Sequence, residues 1–394
     1  MSEQVYIVEG ARTPFGGFGQ SLAKVNATEL GVASATEALR RAQVEPGQVN
    51  QVIYGNVIHS SVNAAYTARH IALKAGIPVE VPALIVNRLC GSGLQAVISA
   101  AQAIKLGEAD MVLAGGTENM SQSPHADFVS RFGGMKLGPI QLEDMLSHTL
   151  TDAHIGCGMG VTAENLASRY GISREEQDAY AALSHNRAAK AQEAGVLAEE
   201  IVAVEVPARG GSVTFGRDEW IRPDSNAAQL AKLKPAFQQG GTVTAGNASG
   251  INDGAASLVL AGESALNGRR PLARIVAWGV AGVDPSVMGI GPVPAARQAL
   301  GRCGLSLADI DLVEINEAFA VQALAVEKEL GLDRERTNVN GGAIAIGHPV
   351  GASGARVLLA LAYELRRRGK RYGLAALCVG GGQGVAMVIE NVAG

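Results

Sequence analysis

The sequence predicts an α/β protein made of two similar halves, in which helices cover the sheets. When the chain is compared with itself, residues 38–56 align with residues 299–317 without a gap, and the same shift places Ser92 on Ser353. In each half, strand-like and helix-like stretches alternate, which is typical of sheets covered by helices. The chain therefore resembles a duplicated β/α unit.

Each half has the same predicted order of elements: a strand, a glycine-rich turn, an apolar helix and a further strand. The first half has the strands QVIYG (51–55), PALIV (82–86) and DMVLAGG (110–116), the helix 93–106 and a returning strand, GINDGAASLVLAG (250–262). The second half has the strands DLVEI (311–315), YGLAAL (372–377) and VAMVIE (385–390) and the helix 354–367.

A long insertion interrupts the duplication. It opens with NMSQSPHADFVSRFGGMKLG, a polar, glycine-rich and aromatic-poor loop, and contains two helix-like stretches, 161–170 and 173–194. A segment of this length is too long for an idle loop, so we expect it to fold over the core. The predicted division is a first half, an inserted loop domain, the return of the first half and a second half: 1–118, 119–249, 250–271 and 272–394.

The composition is that of a soluble globular protein, since 47% of the 394 residues are hydrophobic and 18% are charged. The net charge of −4 and the pI near 6.0 argue against a nucleic-acid surface, and the longest apolar stretches are too short to span a membrane. The four cysteines form neither a disulfide framework nor a zinc motif, which favours a reducing compartment. Without a visible targeting pattern, the expected location is the cytoplasm.

Cys90 lies in the stretch NRLCGSGLQA, between a predicted strand and a helix that begins at Gly93. Gly91 and Gly93 allow a sharp turn that leaves the sulfur uncrowded. A helix amino terminus lowers the pKa of a thiol and stabilises the reactive thiolate. The alternative is a buried structural thiol, because free cysteine is among the most buried residue types. On this motif alone, both interpretations stay open.

A second turn, NGGAIAIGHPVGASG, places His348 among five glycines just before a helix. A neutral imidazole there can take the proton of a thiol and then stabilise the ion pair that results. The alternative is a hydrogen-bonded loop histidine. Because the internal alignment superimposes this turn on the turn of Cys90, we expect the two turns to meet at a pseudo-twofold centre.

Two further turns follow predicted strands. CVGGGQG begins with Cys378, which can act as an acid and a base, and its three consecutive glycines can aim backbone N–H groups at a developing oxyanion. In NEAFA, Asn316 can orient a water or cap the helix that follows. The structural alternatives are a buried cysteine at the end of a strand and a simple helix cap.

The sequence carries no strong sign of a nucleotide or metal site. Neither a GxxxxGK[ST] motif nor a nucleotide fingerprint after a strand is present, and no motif supplies a fourth ligand to Cys90, His348 and Cys378, so we expect no metal. We expect five basic residues of the insertion either to bind a polyphosphate or to form a solvated surface. They are Arg209, Arg217, Arg222, Lys232 and Lys234.

Together, NRLCGSGLQA, NEAFA, GGAIAIGHPVGASG and CVGGGQG, in this order, resemble the thiolase family, and the match runs from VEGARTPFG to the last strand. The resemblance implies the thiolase fold, with two βαβαβαββ halves in a five-layered α/β/α/β/α arrangement. It also implies that the inserted loop domain binds coenzyme A and takes part in oligomerisation.

By resemblance, Cys90 takes an acyl group from one acyl-CoA while His348 accepts its proton, and Cys378 removes an α-proton from a second acetyl-CoA. His348 and a water on Asn316 would hold the enolate, and the N–H groups of Cys90 and Gly380 would hold the other oxyanion. Coenzyme A thioesters are the implied substrates, and no cofactor is bound permanently. The implied coenzyme A contacts are Met159, Arg222, Leu233, Ala236, Phe237, Ser249, Gly250, Met288, Ala318 and Phe319.

The implied reaction is the reversible Claisen condensation of two acetyl-CoA to acetoacetyl-CoA and CoA. Gly158 stands where biosynthetic members of the family usually have a histidine, which keeps a degradative 3-ketoacyl-CoA thiolase of broader chain length as the alternative. More distant alternatives are a decarboxylating ketosynthase, which would have a histidine at Cys378, and a thiolase-like lipid-binding protein without catalysis. The resemblance also implies a homotetramer, a dimer of dimers joined through residues 121–140, with acyl-CoA substrates as partners and neither nucleic acid nor membrane.

Overall fold

The computed structural model describes residues 3–392 of the chain. The first stretch supplies five strands and three α-helices within residues 3–119. They are β1 (Val5–Arg12), β2 (Gly16–Gly17), α1 (Ala27–Ala42), β3 (Gln51–Gly55), α2 (Thr67–Lys74), β4 (Ala83–Val86), α3 (Ser92–Lys105) and β5 (Met111–Asn119).

Residues 120–251 lie between β5 and the next strand of the main sheet. Their elements are β6 (His125–Ala126), β7 (Glu143–Asp144), α4 (Met145–Thr149), β8 (Thr151–Asp152), β9 (Cys157–Gly158), α5 (Met159–Tyr170), α6 (Arg174–Glu193), β10 (Val204–Ala208), β11 (Gly211–Phe215) and α7 (Ala227–Leu230). The six strands of this segment pair only in short two-stranded hairpins within the described part of the chain.

The remaining elements complete the main sheet and its helices. They are β12 (Asn252–Gly262), β13 (Ala273–Gly282), α8 (Pro292–Cys303), β14 (Leu312–Ile315), α9 (Ala320–Leu330), α10 (Ala343–Ile346), α11 (Ser353–Arg368), β15 (Tyr372–Val379) and β16 (Gln383–Asn391). The strands and helices of the duplicated unit thus lie within a few residues of the predicted bounds.

One mixed sheet runs through both halves in the order β14-β15-β16-β13-β1-β12-β5-β3-β4, and β2 pairs with the end of β12. β1 pairs with β12 along most of its length but with β13 only at Tyr6 and Ile7. The sheet therefore consists of two parts joined at β1. In both parts the outer strands are parallel, since β5, β3 and β4 run parallel, as do β15 and β14, whereas the inner pairs are antiparallel.

Helices form three layers around the two parts of the sheet. α1 and α2 cover the outer face of the first part, where Tyr54 and Ile71 are buried. α3 and α11 lie between the two parts, in a core that includes Val97 and Leu358. α8 and α9 cover the outer face of the second part. The predicted five-layered α/β/α/β/α arrangement is confirmed.

The amino termini of α3 and α11 pack directly against each other. A Cβ atom on Gly93 would lie 2.7 Å from the backbone nitrogen of Ala355 and 2.9 Å from the carbonyl oxygen of Gly351. A Cβ atom on Gly354, the residue that the internal alignment superimposes on Gly93, would lie 2.3 Å from the nitrogen of Leu94. Only glycine allows this approach, so the two chemistry-bearing turns meet at the pseudo-twofold centre as expected.

Local signals in the sequence fix the ends of several helices. A capping box begins α6, because the side chains of Ser173 and Glu176 each accept a hydrogen bond from the other residue's backbone N–H. Left-handed glycines, which carry no Cβ penalty, end four helices. These glycines are Gly171, Gly304, Gly331 and Gly369.

Buried charges attach the insertion to the first strand. The Arg12 guanidinium is fully buried and donates to Glu200 at 2.9 Å and to both carboxylate oxygens of Asp218 at 2.7 and 2.8 Å. A planar guanidinium suits this paired geometry. The contact joins β1 to two distant points of the insertion.

The loop that follows β6 differs from its expected polar character. Large apolar side chains within residues 127–142 are exposed, and they are Phe128, Val129, Phe132, Met135, Leu137, Ile140 and Leu142. The expectation of a polar loop was wrong because the apolar residues are separated by glycines and polar residues, so that they form no apolar run in the sequence. Among the helices in residues 3–392, none has the length and apolarity of a membrane-spanning segment.

Candidate active site

The turn that carries Cys90 joins β4 to α3 and is held in a strained conformation. Leu89 has φ of 45°, a left-handed value that a bulky residue rarely adopts. The side chain of Asn87 accepts from the Leu89 N–H at 2.9 Å, and Ser92 accepts from the Arg88 N–H at 2.8 Å and donates to the Leu89 carbonyl at 2.7 Å. These hydrogen bonds hold a backbone conformation that costs about 1–3 kcal/mol.

Cys90 is partly exposed as a residue, but its thiol lies deep in the protein. It packs against an apolar cluster of Ile58, Met120, Leu146 and Val350. Burial raises the pKa of the thiol to about 11, although the backbone N–H groups of Gly380 and of Cys90 itself lower it. The expectation that the helix amino terminus lowers this pKa was therefore wrong, because desolvation of the thiolate outweighs the nearby N–H groups.

His348 is buried, and neighbouring side chains hold both its backbone and its ring. Its backbone N–H donates to the Asn252 side chain at 2.9 Å. In the ring, Nδ1 lies 2.6 Å from the Ser353 hydroxyl, and the Asn316 amide nitrogen lies 3.5 Å from both nitrogens. Burial, and secondarily the positive charge of Arg356, lower the pKa of His348 to about 3. The imidazole is therefore neutral near pH 7.

Cys378 lies near the end of β15, where it pairs with Gly384 of β16. Burial raises the pKa of its thiol, and the neighbouring Cys90 raises it further. The hairpin turn after Cys378 contains Gly380, and a Cβ there would lie 3.1 Å from the Leu89 side chain and 3.5 Å from the sulfur of Met159. This turn brings the N–H of Gly380 to the Cys90 sulfur.

Asn316 follows β14 and extends its pairing, since its N–H donates to the Ala376 carbonyl at 2.9 Å. It does not cap α9, because Phe319 occupies the cap position and has no capping side chain. Its side-chain oxygen is buried and has no hydrogen-bond partner among residues 3–392. An acceptor of this kind, beside an imidazole, suits a water or a polar substrate atom.

The structure places the residues for which the sequence predicts chemistry on turns that contact one another. Cys90 packs against Val350, two residues after His348, a Cβ on Gly380 would contact Leu89, and Asn316 lies beside His348. Two neutral thiols, a neutral imidazole and donor groups in a largely dry site can exchange protons and stabilise developing negative charge.

Comparison with known proteins identifies the family. The model of the thiolase N-terminal domain matches residues 5–264, and the model of the thiolase C-terminal domain matches residues 269–391. The chain belongs to the thiolase family. It is therefore a thiolase acyltransferase, and the predicted thiolase fold is confirmed.

Relatives with two different names are about equally similar to this thiolase. The mitochondrial 3-ketoacyl-CoA thiolase of Homo sapiens is 51% identical over 99% of this chain and 98% of its own length. The acetyl-CoA acetyltransferase of Rhizobium meliloti is 51% identical over 98% of this chain and 99% of its own length. The crystal structure of the acetyl-CoA acetyltransferase of Bacillus anthracis is 49% identical, with a TM-score of 0.97 and 99% coverage of both chains.

The candidate coenzyme A contacts form a continuous path in this thiolase. Met159, Met288, Ala318 and Phe319 pack in the same apolar cluster as Cys378. The N–H of Ser249 donates to the Ala318 carbonyl at 3.0 Å. The path therefore starts beside the buried thiol.

The outer part of this path reaches the surface. The half-exposed ring of Phe237 meets the ring of Phe319 edge-on, with centroids 6.0 Å apart, and Ala236 and Leu233 are exposed beside it. The Arg222 guanidinium lies 4.8 Å from the ring centre of Trp220, and a Cβ on Gly250 would lie 3.0 Å from that indole. The other basic candidates, Arg209, Arg217, Lys232 and Lys234, are exposed.

Sequence reasoning missed four residues that shape the site: Trp220, Asn252, Ser353 and Glu118. Glu118 is buried and accepts hydrogen bonds from the Asn56 side chain and from the N–H groups of Val57, Ile58 and Gly351 at 3.0 to 3.1 Å. Burial raises its pKa to about 8. The alignment of Ser353 with Ser92 was the one signal that marked any of the four. Among residues 3–392, no cluster of His, Cys, Asp and Glu is arranged to hold a metal ion.

Proposed function

We propose that this thiolase is an acetyl-CoA C-acetyltransferase, which condenses two acetyl-CoA to acetoacetyl-CoA and CoA through an acetyl group on Cys90. The observation that carries the proposal is the contact between the turns of the two thiols: a Cβ on Gly91, next to Cys90, would lie 2.9 Å from Val379, next to Cys378, and a Cβ on Gly380 would lie 3.1 Å from Leu89. Relatives named acetyl-CoA acetyltransferase, at 51 and 52% identity, support it.

In the first half-reaction, His348 takes the proton of the Cys90 thiol, and the sulfur attacks the thioester carbonyl of acetyl-CoA. The bond between that carbonyl and the coenzyme A sulfur breaks, and His348 returns the proton to the departing thiol. The neutral thiol and neutral imidazole of the free enzyme are the protonation states from which this step starts. The N–H groups of Cys90 and Gly380 stabilise the tetrahedral oxyanion.

In the second half-reaction, the Cys378 thiol first passes its proton to His348, and the resulting thiolate removes a proton from the methyl group of another acetyl-CoA. The enolate oxygen is held by the protonated His348 and by a water on Asn316, and the carbanion attacks the acetyl carbonyl on Cys90. As the new carbon–carbon bond forms acetoacetyl-CoA, the Cys90 sulfur leaves and takes the proton from His348. A second thiol suits this task, because nucleophile and base are needed at different steps.

Coenzyme A thioesters are the substrates in this proposal, with the pantetheine chain between Ser249 and Phe319 and the nucleotide end near Arg222. A solved structure of the human mitochondrial 3-ketoacyl-CoA thiolase is a complex with CoA, and its chain matches this one with a TM-score of 0.96. A surface depression of about 440 Å³ beside Ala236 and Phe237 supports an entrance there. The cytoplasmic location stays a prediction, as do the domain limits.

The second candidate is a 3-ketoacyl-CoA thiolase that cleaves longer chains. Two observations favour it: the 51% identity to the human enzyme of that name and Gly158, which leaves space where a side chain would stand. A Cβ on Gly158 would make only ordinary contacts, at 3.5 Å to the Leu150 carbonyl and 3.8 Å to Thr151. Steady-state thiolysis of 3-ketoacyl-CoA substrates of increasing length separates the two. The primary proposal requires the highest kcat/KM with acetoacetyl-CoA.

The roles of the two thiols are tested by comparing Cys378→Ala with Cys90→Ala. We expect Cys378→Ala to form the acetyl-enzyme, seen as one added acetyl group in the mass of the intact protein. It should neither exchange the methyl protons of acetyl-CoA with deuterated solvent nor make acetoacetyl-CoA, because the base is missing. Cys90→Ala should lose acylation and synthesis together.

Cys303→Ala is the matched control, since this helical thiol hydrogen-bonds the carbonyls of Ala299 and Leu300, at 3.4 and 3.3 Å, and no other group among residues 3–392. It should retain normal synthesis. Near-normal synthesis by Cys378→Ala would mean that the base lies elsewhere, and acetylation of Cys90→Ala would remove Cys90 as the nucleophile.

A further inference from the structure

The proposed chemistry requires one particular tautomer of the neutral His348 imidazole. A neutral imidazole carries hydrogen on one ring nitrogen and a lone pair on the other, and only the nitrogen with the lone pair can take a proton. When it does so, both nitrogens carry hydrogen, and each needs an acceptor in a buried site. The groups that face the ring therefore decide whether His348 can act as a base.

Ser353 faces one nitrogen directly. Its hydroxyl oxygen lies 2.6 Å from His348 Nδ1 and 2.9 Å from the Pro349 carbonyl oxygen, and the residue is fully buried at the start of α11. The hydroxyl has a single hydrogen and two possible acceptors for it. If it donates to Nδ1, the ring hydrogen must lie on Nε2, and His348 then has no free lone pair for the Cys90 proton.

The other arrangement leaves the base intact. The Ser353 hydroxyl then donates to the Pro349 carbonyl and accepts from Nδ1–H, so that Nε2 keeps its lone pair. The Pro349 carbonyl also accepts from the N–H groups of Ala352 and Ser353, at 2.9 and 3.0 Å, which fixes it at the first turn of α11. The same hydroxyl remains a suitable acceptor when the ring becomes an imidazolium.

We propose that Ser353 is a positioning residue that holds His348 with its hydrogen on Nδ1 and accepts a hydrogen bond from the imidazolium formed during catalysis. This inference rests on the proposed function, in which His348 is the base. The internal alignment strengthens it. Ser92, the equivalent residue, hydrogen-bonds only the backbone of its own turn among the described residues, at Arg88 and Leu89, whereas Ser353 uses its oxygen for a side chain that takes part in the chemistry.

The test compares Ser353→Ala with Ser353→Thr, which keeps the hydroxyl, in steady-state condensation and in the formation of the acetyl-enzyme. We expect Ser353→Ala to lower kcat and the acylation rate by about 10- to 100-fold, with KM for acetyl-CoA within about twofold of the wild-type value. Ser353→Thr should recover most of the loss. A purely structural role would not give this split between kcat and KM.

Ser34→Ala is the matched control, since this serine is also buried in a helix and its hydroxyl hydrogen-bonds Gly31 and Ser257 at 3.1 and 2.7 Å. It should leave kcat unchanged while showing the thermal destabilisation of a lost buried hydroxyl. If Ser353→Ala does not fold, Ser353→Cys, of nearly equal volume and with a weak acceptor, replaces it and should show the same fall in kcat.

Normal kcat in a folded Ser353→Ala or Ser353→Cys protein would overturn the inference, because the hydroxyl would then contribute nothing to the base. A fall in kcat that Ser353→Thr shares in full would also overturn it. Failure of the proposed function gives a different result, since the wild-type protein itself would then form no acetyl-enzyme.

Discussion

At the scale of single residues, the free enzyme holds its reactive groups in neutral form. Burial raises the pKa of both thiols and lowers that of His348, so a thiolate–imidazolium pair has no favourable environment before substrate binds. The backbone N–H groups of Cys90 and Gly380 stabilise negative charge more strongly once that charge has passed to the oxygen of a bound thioester. We infer that the charge forms only together with the attack on the substrate.

The pH dependence of alkylation tests this protonation state. Because the pKa of Cys90 is raised to about 11 and the thiolate is the reactive form, labelling of Cys90 by iodoacetamide should accelerate about tenfold per pH unit between about pH 7 and pH 9. Peptide mass mapping at limiting reagent gives the rate. Acetyl-CoA added first should protect Cys90 and leave Cys303, the internal control, unprotected. A rate that is already constant near pH 7 would show that the resting enzyme contains the thiolate.

The sequence predicted the residues that lie in glycine-rich turns, because a nucleophile, a base and an oxyanion hole each leave a local signature there. It did not predict Asn252 or Glu118. Their hydrogen bonds to the His348 turn join residues 96 and 233 positions apart, and no local pattern encodes such a distance. It also predicted the wrong direction for the Cys90 pKa, because the helix terminus is visible in the sequence whereas burial depends on side chains from distant elements.

At the scale of elements, the site depends on how closely two helix termini approach. Gly93 of α3 and Gly354 of α11 each lie against the backbone of the other turn, so the turns of Cys90 and His348 are in direct contact. The duplication in the sequence predicted this meeting. It did not predict that β1 pairs with both β12 and β13 and joins the two halves into one sheet. The pairing with β13 involves only Tyr6 and Ile7 of β1, which is too short to leave a pattern in the sequence.

Replacing Gly93 by alanine should therefore destabilise the protein, whereas the same change at a helical glycine with free space around it should not. We expect Gly93→Ala to cost more than about 2 kcal/mol and to abolish most activity, because the added Cβ meets backbone atoms that cannot give way. Gly301→Ala in α8 is the control, since a Cβ there meets no atom within 4 Å, and it should be neutral or stabilising by up to about 1 kcal/mol. Thermal unfolding and kcat measure both effects. Equal stability of the two variants would contradict the packing argument.

At the scale of the whole molecule, the strand β4 and the loop 127–142 both expose apolar side chains. In the edge strand β4, Leu84 is 46% exposed beside a depression of about 590 Å³ that Leu106 and Trp278 also line. In the loop 127–142, Phe132 and Leu137 are 88 and 95% exposed. Apolar exposure on this scale is typical of interaction surfaces. We propose that β4 forms the contact within a dimer and that the loop joins two dimers.

This assembly predicts a tetramer that can be divided at the loop. The double variant Phe132→Ser and Leu137→Ser should give a dimer in light scattering, because it removes apolar surface that has no other partner, and the dimer should stay at least partly active. Val213→Ser is the control, since Val213 is 59% exposed on β11, outside the loop, and the protein should remain a tetramer. A tetrameric loop variant would place the contact elsewhere. A monomeric wild-type protein would overturn the scheme, because symmetric oligomers need a self-complementary surface that the monomer would then lack.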